Sequence, residues 1–238
     1  MIDPRPIGVL GGMGPEATIL FQQKMLGAVE AVDDADHVPL IIDMNPQVPS
    51  RIARLIKGEG EDPGPVLAAM ARRLEQAGVA ALAMPCNTAH HYAAAITAAA
   101  SVPFFNMVEL SADFAAEASP PSGCVGMLAS PAVRFTELYD RAFARRGLKA
   151  LWPSNDDVML QAIRMIKANG PCKEARDTLA AASAELAGAG AKFQLVACTE
   201  FSLIADSVAP DLHVVDTLDV LVGAIKGFSL SKRQEGSD

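Results

Sequence analysis

The sequence predicts an α/β protein of two similar domains, each a parallel sheet flanked by helices, related by pseudo-symmetry and facing a common cleft that holds the functional site. Three observations support this prediction. Short apolar runs alternate with helical patterns along the chain, the pattern of the first half recurs in the second, and 238 residues suit two domains of roughly 110 residues each. Because half of the residues are hydrophobic, both domains can bury a core.

The first half begins with a strand, a glycine loop and a helix. The apolar run 7–10 precedes the loop 11–14, and Pro15 suits the first turn of a helix, where the missing proline N–H would be unpaired in any case. Asp62 is placed to cap a helix that Gly78 ends. The other predicted elements of this half are a strand at 40–43, a helix at 51–57, a strand at 79–84, a helix at 89–100 and a strand at 102–105.

The second half repeats this order after a shift in composition at 119–123, where we place the crossover between domains spanning 1–115 and 116–215. A last helix at 216–228 is expected to complete the first domain, and the polar tail 231–238 is expected to be flexible. The predicted elements of the second half are strands at 125–128, 193–197 and 213–215, and helices at 131–146, 158–167 and 173–187.

Identities at a fixed spacing link the two halves. Gly8, Leu10, Thr18 and Leu20 recur as the same residue types 118 positions later, and Cys86 is followed by a second cysteine after 112 positions. This self-similarity predicts two structurally similar units. Two halves related in this way would present like groups to one central cleft.

Composition and charge exclude several classes of function. A net charge of −8 disfavours binding to nucleic acids or anionic lipids, and no apolar run approaches the roughly 18 residues of a membrane span. The four cysteines show no close pairing and the first six residues lack the features of a signal peptide, so we expect a cytoplasmic protein. No CxxC or HxxxH spacing supports a metal site, and the loop 11–14 lacks the GxGxxG and GK[ST] patterns of nucleotide-binding sites.

Two cysteines stand where a parallel sheet places its ligands. Cys86 and Cys198 each follow a predicted strand and open a predicted helix, so both point to the carboxyl edge of a sheet. Because a helix N-terminus favours a thiolate, we expect a lowered pKa for both thiols. A lone buried cysteine is more often a small hydrophobic side chain, but two at equivalent positions of a repeat favour function. Cys124 and Cys172 lack this placement and are interpreted as structural.

Three segments resemble the signature sequences of the aspartate/glutamate racemase family, and most closely those of its aspartate racemase branch. They are residues 7–18 (IGVLGGMGPEAT), 84–90 (MPCNTAH) and 197–200 (ACTE). Two further segments support the resemblance. Residues 45–51 (NPQVPSR) are similar to the family's arginine-bearing loop, and residues 163–167 (IRMIK) are similar to its lysine-bearing helix.

The resemblance implies a cofactor-independent amino-acid racemase, without pyridoxal phosphate, that is usually a homodimer. It also implies that Cys86 and Cys198 are the acid and base, and that Arg51 and Lys167 hold substrate carboxylates. Without the resemblance, those two cations would be interpreted as solvated surface charges. The loop 130–133 (SPAV) departs from the threonine- and glycine-containing loop of the family, so aspartate, glutamate and other amino acids stay open as the substrate.

Racemisation chemistry fits two facing thiols. One group removes the Cα proton, and the other delivers a proton to the opposite face, so one thiolate and one thiol across a cleft need not move. Backbone N–H groups in the glycine loop and in the turns after the cysteines are placed to stabilise the carboxylate as it gains enolate character. The predicted substrate-binding residues beside Arg51 and Lys167 are Met13, Gly14, Asn87, Thr88, Thr199 and Glu200.

Other interpretations stay open. A relative with the same fold could be a hydantoin racemase, a decarboxylase or a cis–trans isomerase, although the presence of both cysteines favours two-face chemistry. A two-lobed binding protein for small ligands would not need thiols. A cysteine hydrolase pairing Cys86 with His90 or His91 lacks a visible orienting acid, and we interpret both histidines as packed or exposed side chains. Glu200 has three open roles: it tunes Cys198, binds the substrate amine, or caps a helix.

Overall fold

Two four-stranded parallel sheets form the framework of the computed structural model, which describes residues 4–119 and 123–231. The first sheet has the order β2-β1-β3-β4, and the second has the order β6-β5-β7-β8. The predicted α/β fold with two similar halves is therefore confirmed. The strands are β1 (Ile7–Gly11), β2 (Leu40–Met44), β3 (Ala81–Ala83), β4 (Phe104–Phe105), β5 (Cys124–Ala129), β6 (Lys149–Leu151), β7 (Phe193–Ala197) and β8 (His213–Asp216).

The first half of the chain holds five α-helices within the described residues. They are α1 (Pro15–Ala28), α2 (Arg51–Leu55), α3 (Gly64–Gln76), α4 (Ala93–Thr97) and α5 (Met107–Ala118). The side chain of Asp62 accepts a hydrogen bond from the Gly64 N–H at 2.9 Å, so it satisfies a free donor at the start of α3 from two residues away. Gly78, with φ of 84°, follows the end of that helix as predicted.

The predicted helix 89–100 is replaced by two shorter elements. A 3₁₀ helix (Thr88–Tyr92) comes first and α4 continues from it. The tighter first turn places His90 beneath Cys86, with its ring against the Cys86 carbonyl. The helix α5 is an element that the sequence analysis missed.

The second half of the chain holds six α-helices within the described residues: α6 (Pro131–Phe135), α7 (Leu138–Ala144), α8 (Asp156–Asn169), α9 (Lys173–Gly188), α10 (Thr199–Ser202) and α11 (Thr217–Ser229). The single helix predicted at 131–146 is wrong, because Glu137 adopts a left-handed conformation with φ of 53° that interrupts it. The Thr136 hydroxyl, which donates to the carbonyls of Ala132 and Val133, closes the first of the two helices. Strand β6 was also missed.

Close packing explains why the glycine of the central strand recurs in both halves. A Cβ on Gly8 would lie within 3.1 Å of side-chain atoms of Leu74, Val79 and Leu82. A Cβ on Gly126 would lie within 3.3 Å of side-chain atoms of Leu186, Ala191 and Gln194, each 112 positions after its counterpart in the first half. Both halves thus use glycine in the central strand so that a helix can pack directly against it.

Helices α5 and α11 join the two halves. Leu218, Leu221 and Ile225 of α11 belong to the core cluster that contains β1 residues of the first sheet. Val108 and Ala112 of α5 belong to a core cluster of the second sheet. Apart from Ser231, the tail predicted at 231–238 lies outside the described residues, as do 120–122 of the predicted crossover. Within the described residues, no helix combines the length and apolar character needed to cross a membrane.

Candidate active site

A cavity opens at the carboxyl ends of the central strands of both sheets. The order of the strands explains why four turns meet there. Met13 follows β1 and Cys86 follows β3, while Ser130 follows β5 and Cys198 follows β7. The cavity is lined by Met13, Ser50, Arg51, Ile52, Cys86, Thr88, Ser130, Ile163, Lys167, Cys198 and Glu200.

Cys86 and Cys198 lie in equivalent turns of the two halves and line the same cavity. Each is 6% exposed, so both thiols are shielded from bulk solvent while they remain open to a ligand in the cavity. Both are free cysteines. The two other cysteines lie elsewhere: Cys124 is exposed at the start of β5, and Cys172 precedes α9.

A carboxylate couples one of these thiols to a cation. The Cys198 thiol donates to Glu200 Oε2 with an Sγ–O distance of 3.1 Å, and Glu200 Oε1 lies 2.7 Å from Lys167 Nζ. Burial lowers the pKa of Lys167, but the Glu200 carboxylate, with further contributions from Cys198 and Cys86, more than offsets this effect, and the pKa lies above its ordinary value. Lys167 therefore enters the cavity as a cation already paired with an anion.

The expected lowering of the pKa is wrong for Cys198. Burial raises the pKa of this thiol well above its ordinary value, and the adjacent Glu200 carboxylate raises it further. The helix that follows, α10, has only four residues, so its dipole offers little compensation. Cys198 consequently rests as a protonated thiol.

Arg51 approaches the cavity from the first residue of α2. The Ser50 side chain caps this helix by accepting from the Ala53 N–H at 3.2 Å. The Arg51 guanidinium donates to the carbonyls of Val48, Pro49 and Met13 over 3.1–3.4 Å. These backbone contacts hold the guanidinium at the cavity without neutralising its charge.

The glycine loop after β1 is built for a close turn. Gly12 has φ of 89°, and a Cβ there would lie within 2.7 Å of the Asn45 backbone. The Thr18 hydroxyl accepts from the Gly12 N–H and donates to the Gly14 carbonyl. A Cβ on Gly14 would lie 3.7 Å from Glu200 Oε1, so this loop passes beside the carboxylate of the site.

Two predicted substrate-binding side chains do not line the cavity. Thr199 is 2% exposed behind it. Asn87 is also 2% exposed, and its side chain bonds to Tyr139 and Thr217 instead. Their backbone N–H groups directly follow the cysteines in the chain.

His90 is a packed histidine that supports the Cys86 turn. The Met107 N–H donates to its Nε2 at 3.0 Å, so Nδ1 carries the proton and donates to the Cys86 carbonyl at 2.9 Å. Burial lowers the pKa of His90 to about 4, and the ring stays neutral near pH 7. His91 is exposed and lines a different cavity.

Four lining residues are absent from the predicted site, and one of them, Ser130, belongs to the loop 130–133 that departs from the family pattern. Ser50 and Ile52 flank Arg51 on either side in the chain. Ile163 lies four positions before Lys167 on α8, and this spacing, which puts two helical residues on one face, could have identified it. Among the described residues, no group of histidine, cysteine, aspartate and glutamate is arranged to hold a metal ion.

Comparison with known proteins extends these observations. The sequence profile of the Asp/Glu/hydantoin racemase family matches residues 10–225. The chain belongs to this family.

One sequence relative and several solved structures are similar to this chain. It is 25% identical over 219 residues to the broad specificity amino-acid racemase RacX of Bacillus subtilis (strain 168), covering 89% of this chain and 92% of that protein. It superposes on Picrophilus torridus aspartate racemase with a TM-score of 0.85 and 26% identity over 94% of each chain. An aspartate racemase homologue from Pyrococcus horikoshii OT3 shares the fold, with a TM-score of 0.74 and 20% identity over 95% of this chain and 100% of that one.

Proposed function

We propose that this protein is a cofactor-independent racemase of aspartate or glutamate, in which one thiolate removes the α-proton and a thiol on the opposite face delivers another proton. One observation carries the proposal: two buried cysteines from equivalent turns of pseudo-symmetric halves line one cavity together with two cations. The substrate assignment is also supported by the similarity to an aspartate racemase at 26% identity.

The proton balance requires one thiolate and one thiol. The Cys86 thiolate removes the Cα proton and becomes a thiol, and the electron pair of the broken C–H bond moves onto the substrate carboxylate. The Cys198 thiol then donates its proton to the opposite face of Cα and becomes a thiolate. Protonation of Cys198 in the resting state, favoured by Glu200, suits it to start as the donor. The opposite enantiomer reacts through the same steps with the roles exchanged.

Charge recognition follows from the cations at the cavity. The Arg51 guanidinium is suited to bind a carboxylate with two hydrogen bonds, and Lys167 supplies a point charge. The proposed donors to the α-carboxylate, as it gains enolate character, are backbone N–H groups of the glycine loop and of the turns that follow the two cysteines. A dicarboxylate substrate therefore meets local positive charge despite the net charge of −8 on the whole chain.

A wider range of amino acids is the second candidate. Three apolar side chains, Met13, Ile52 and Ile163, line the cavity beside the cations, and they offer contact to an uncharged substrate side chain. The similarity to a broad specificity amino-acid racemase also supports this second candidate. As part of the proposal, the protein acts in the cytoplasm as a homodimer, which sedimentation of the purified protein tests directly.

The decisive experiment is a panel of L- and D-amino acids, with hydantoins included, incubated with the purified protein in D2O without added cofactor. Proton NMR and chiral chromatography should detect α-deuterated antipodes of aspartate or glutamate. The activity should survive hydroxylamine, which removes pyridoxal phosphate, and should be lost when the cysteines are alkylated. If no amino acid is converted, or if alkylation leaves conversion intact, the proposal is wrong.

A further inference from the structure

A chain of buried hydrogen bonds connects the two cysteine-bearing turns. The Tyr139 hydroxyl donates to Asn87 Oδ1 at 2.7 Å, and Asn87 Nδ2 donates to Thr217 Oγ1 at 3.0 Å. The Thr217 hydroxyl in turn donates to the Val196 carbonyl at 3.0 Å. Asn87 directly follows Cys86 in the chain, and Val196 lies two positions before the other cysteine.

The direction of these bonds is fixed by their partners. The Val196 carbonyl accepts only, so the Thr217 hydroxyl must donate to it and must accept from the amide nitrogen of Asn87. The amide oxygen of Asn87 is then left for the Tyr139 hydroxyl. Burial raises the pKa of Tyr139, which keeps its hydroxyl protonated as a donor. Tyr139 and Thr217 are 0% exposed, so water does not compete for any of these groups.

The chain of bonds crosses from one half of the protein to the other. Asn87 follows a strand of the first sheet, whereas Tyr139 lies on α7, which packs in a core cluster of the second sheet. Thr217 begins α11, whose apolar face packs against the first half, while its hydroxyl reaches a strand of the second sheet. A shift of either turn would break at least one buried bond.

We propose that Asn87 is a positioning residue that, with Tyr139 and Thr217, fixes the separation of the two thiols across the cavity. This inference rests on the proposed function, because a fixed separation matters when two groups act on opposite faces of one carbon. Proton transfer between positioned groups is sensitive to displacements of about 1 Å, which can reduce a rate roughly 100-fold.

The test uses variants that remove one hydroxyl without changing shape. Tyr139→Phe takes away the donor to Asn87, and Thr217→Val takes away the donor to Val196. The matched control is Ser183→Ala. Ser183 is 1% exposed, and its hydroxyl donates to Gln194, which lies on β7 as Val196 does, and not to Asn87. Each protein is incubated with one enantiomer of the substrate in D2O. The ratio of deuterium in the recovered substrate to deuterium in its antipode is then measured.

In both network variants, racemisation kcat should fall roughly tenfold or more while KM changes little. The deuterium ratio should rise, because a carbanion formed by one thiol is then more often reprotonated on the same face. Ser183→Ala should keep the parent ratio even though it loses stability, and Thr217→Ser should restore both kcat and the ratio. Should either variant fail to fold, the other carries the test.

Parent-like ratios in Tyr139→Phe and Thr217→Val would overturn the positioning role, even if kcat fell. That result differs from failure of the proposed function, in which the parent protein itself would racemise no amino acid.

Discussion

The thiol of Cys198 donates to the carboxylate of Glu200 over 3.1 Å, and this carboxylate is held from its other oxygen by Lys167. A thiolate beside a carboxylate in a buried place would be repelled by it, so ionising both groups costs free energy. The pair therefore keeps Cys198 protonated at rest. In the proposed mechanism, this protonated thiol is the proton donor for one of the two enantiomers.

Glu200→Gln should lower the pKa of Cys198, because it removes the negative charge that disfavours the thiolate. Alkylation of Cys198 by iodoacetamide, followed by peptide mass spectrometry, should then begin at lower pH than in the parent. Racemisation should slow, because the carboxylate that accepts from the donor thiol and pairs with Lys167 is lost. Glu174→Gln, on the surface of α9, provides the control. An unchanged alkylation profile in Glu200→Gln would show that the carboxylate does not govern this thiol.

Arg51→Met should reduce kcat/KM for aspartate and glutamate roughly 10- to 100-fold, the value of a charge-assisted contact to a carboxylate. Neutral amino acids should lose much less, because their side chains do not need the guanidinium. Arg54→Met, three positions later on α2, is the control, since Arg54 does not line the cavity. Equal losses on acidic and neutral substrates would make Arg51 a structural residue.

The two central glycines should be intolerant of a methyl group. Gly8→Ala and Gly126→Ala place a Cβ 2.9 Å from packed side-chain atoms, so each should cost about 1–3 kcal/mol of unfolding free energy in urea denaturation. Gly223→Ala on α11 meets nothing within 4 Å and should instead stabilise the protein by up to about 1 kcal/mol. A neutral result at both central positions would refute the packing explanation of the repeat.

His90 should make the protein lose stability in mild acid. Burial lowers the pKa of this ring from 6.5 to about 4, so between these values the unfolded chain binds a proton that the folded chain does not. The contribution of neutral His90 to the free energy of unfolding is fully present above pH 6.5 and is lost as the pH falls through about 4. The total loss is about 3 kcal/mol. Urea denaturation at several pH values measures the slope. His90→Gln should flatten it, whereas the exposed His213→Gln should retain it.

The sequence could predict the elements whose formation depends on residues that are neighbours in the chain. Strand β7 and the cysteine after it were predicted because an apolar run and a small-residue turn are adjacent in the chain. Helix α5 was missed because its buried residues serve cores of both halves, so its apolar positions do not form a single face. The hydrogen-bond partner of Asn87 could not be predicted either, because Tyr139 is 52 positions away in the chain and contacts Asn87 only through tertiary packing.

The two thiols should be separable by the face of Cα that each serves. In Cys86→Ser and Cys198→Ser, one proton transfer loses its donor or acceptor, and a serine hydroxyl is far too weak a base near neutral pH to replace it. Racemisation should therefore fall roughly 100-fold or more in both variants. The remaining cysteine can still remove and return a proton on its own side, so each variant should exchange the α-hydrogen of one enantiomer with D2O.

The enantiomer that exchanges should be opposite in the two variants, because the cysteines lie in equivalent turns of two halves that face the cavity from different sides. Proton NMR of each enantiomer in D2O measures the exchange. Cys172→Ser is the control, since this partly buried cysteine precedes α9 and does not line the cavity, and it should behave as the parent. Racemisation at the parent rate in either single variant would exclude the two-thiol mechanism. Exchange of the same enantiomer in both would mean that the two thiols share one face of Cα, which racemisation through two bases does not allow.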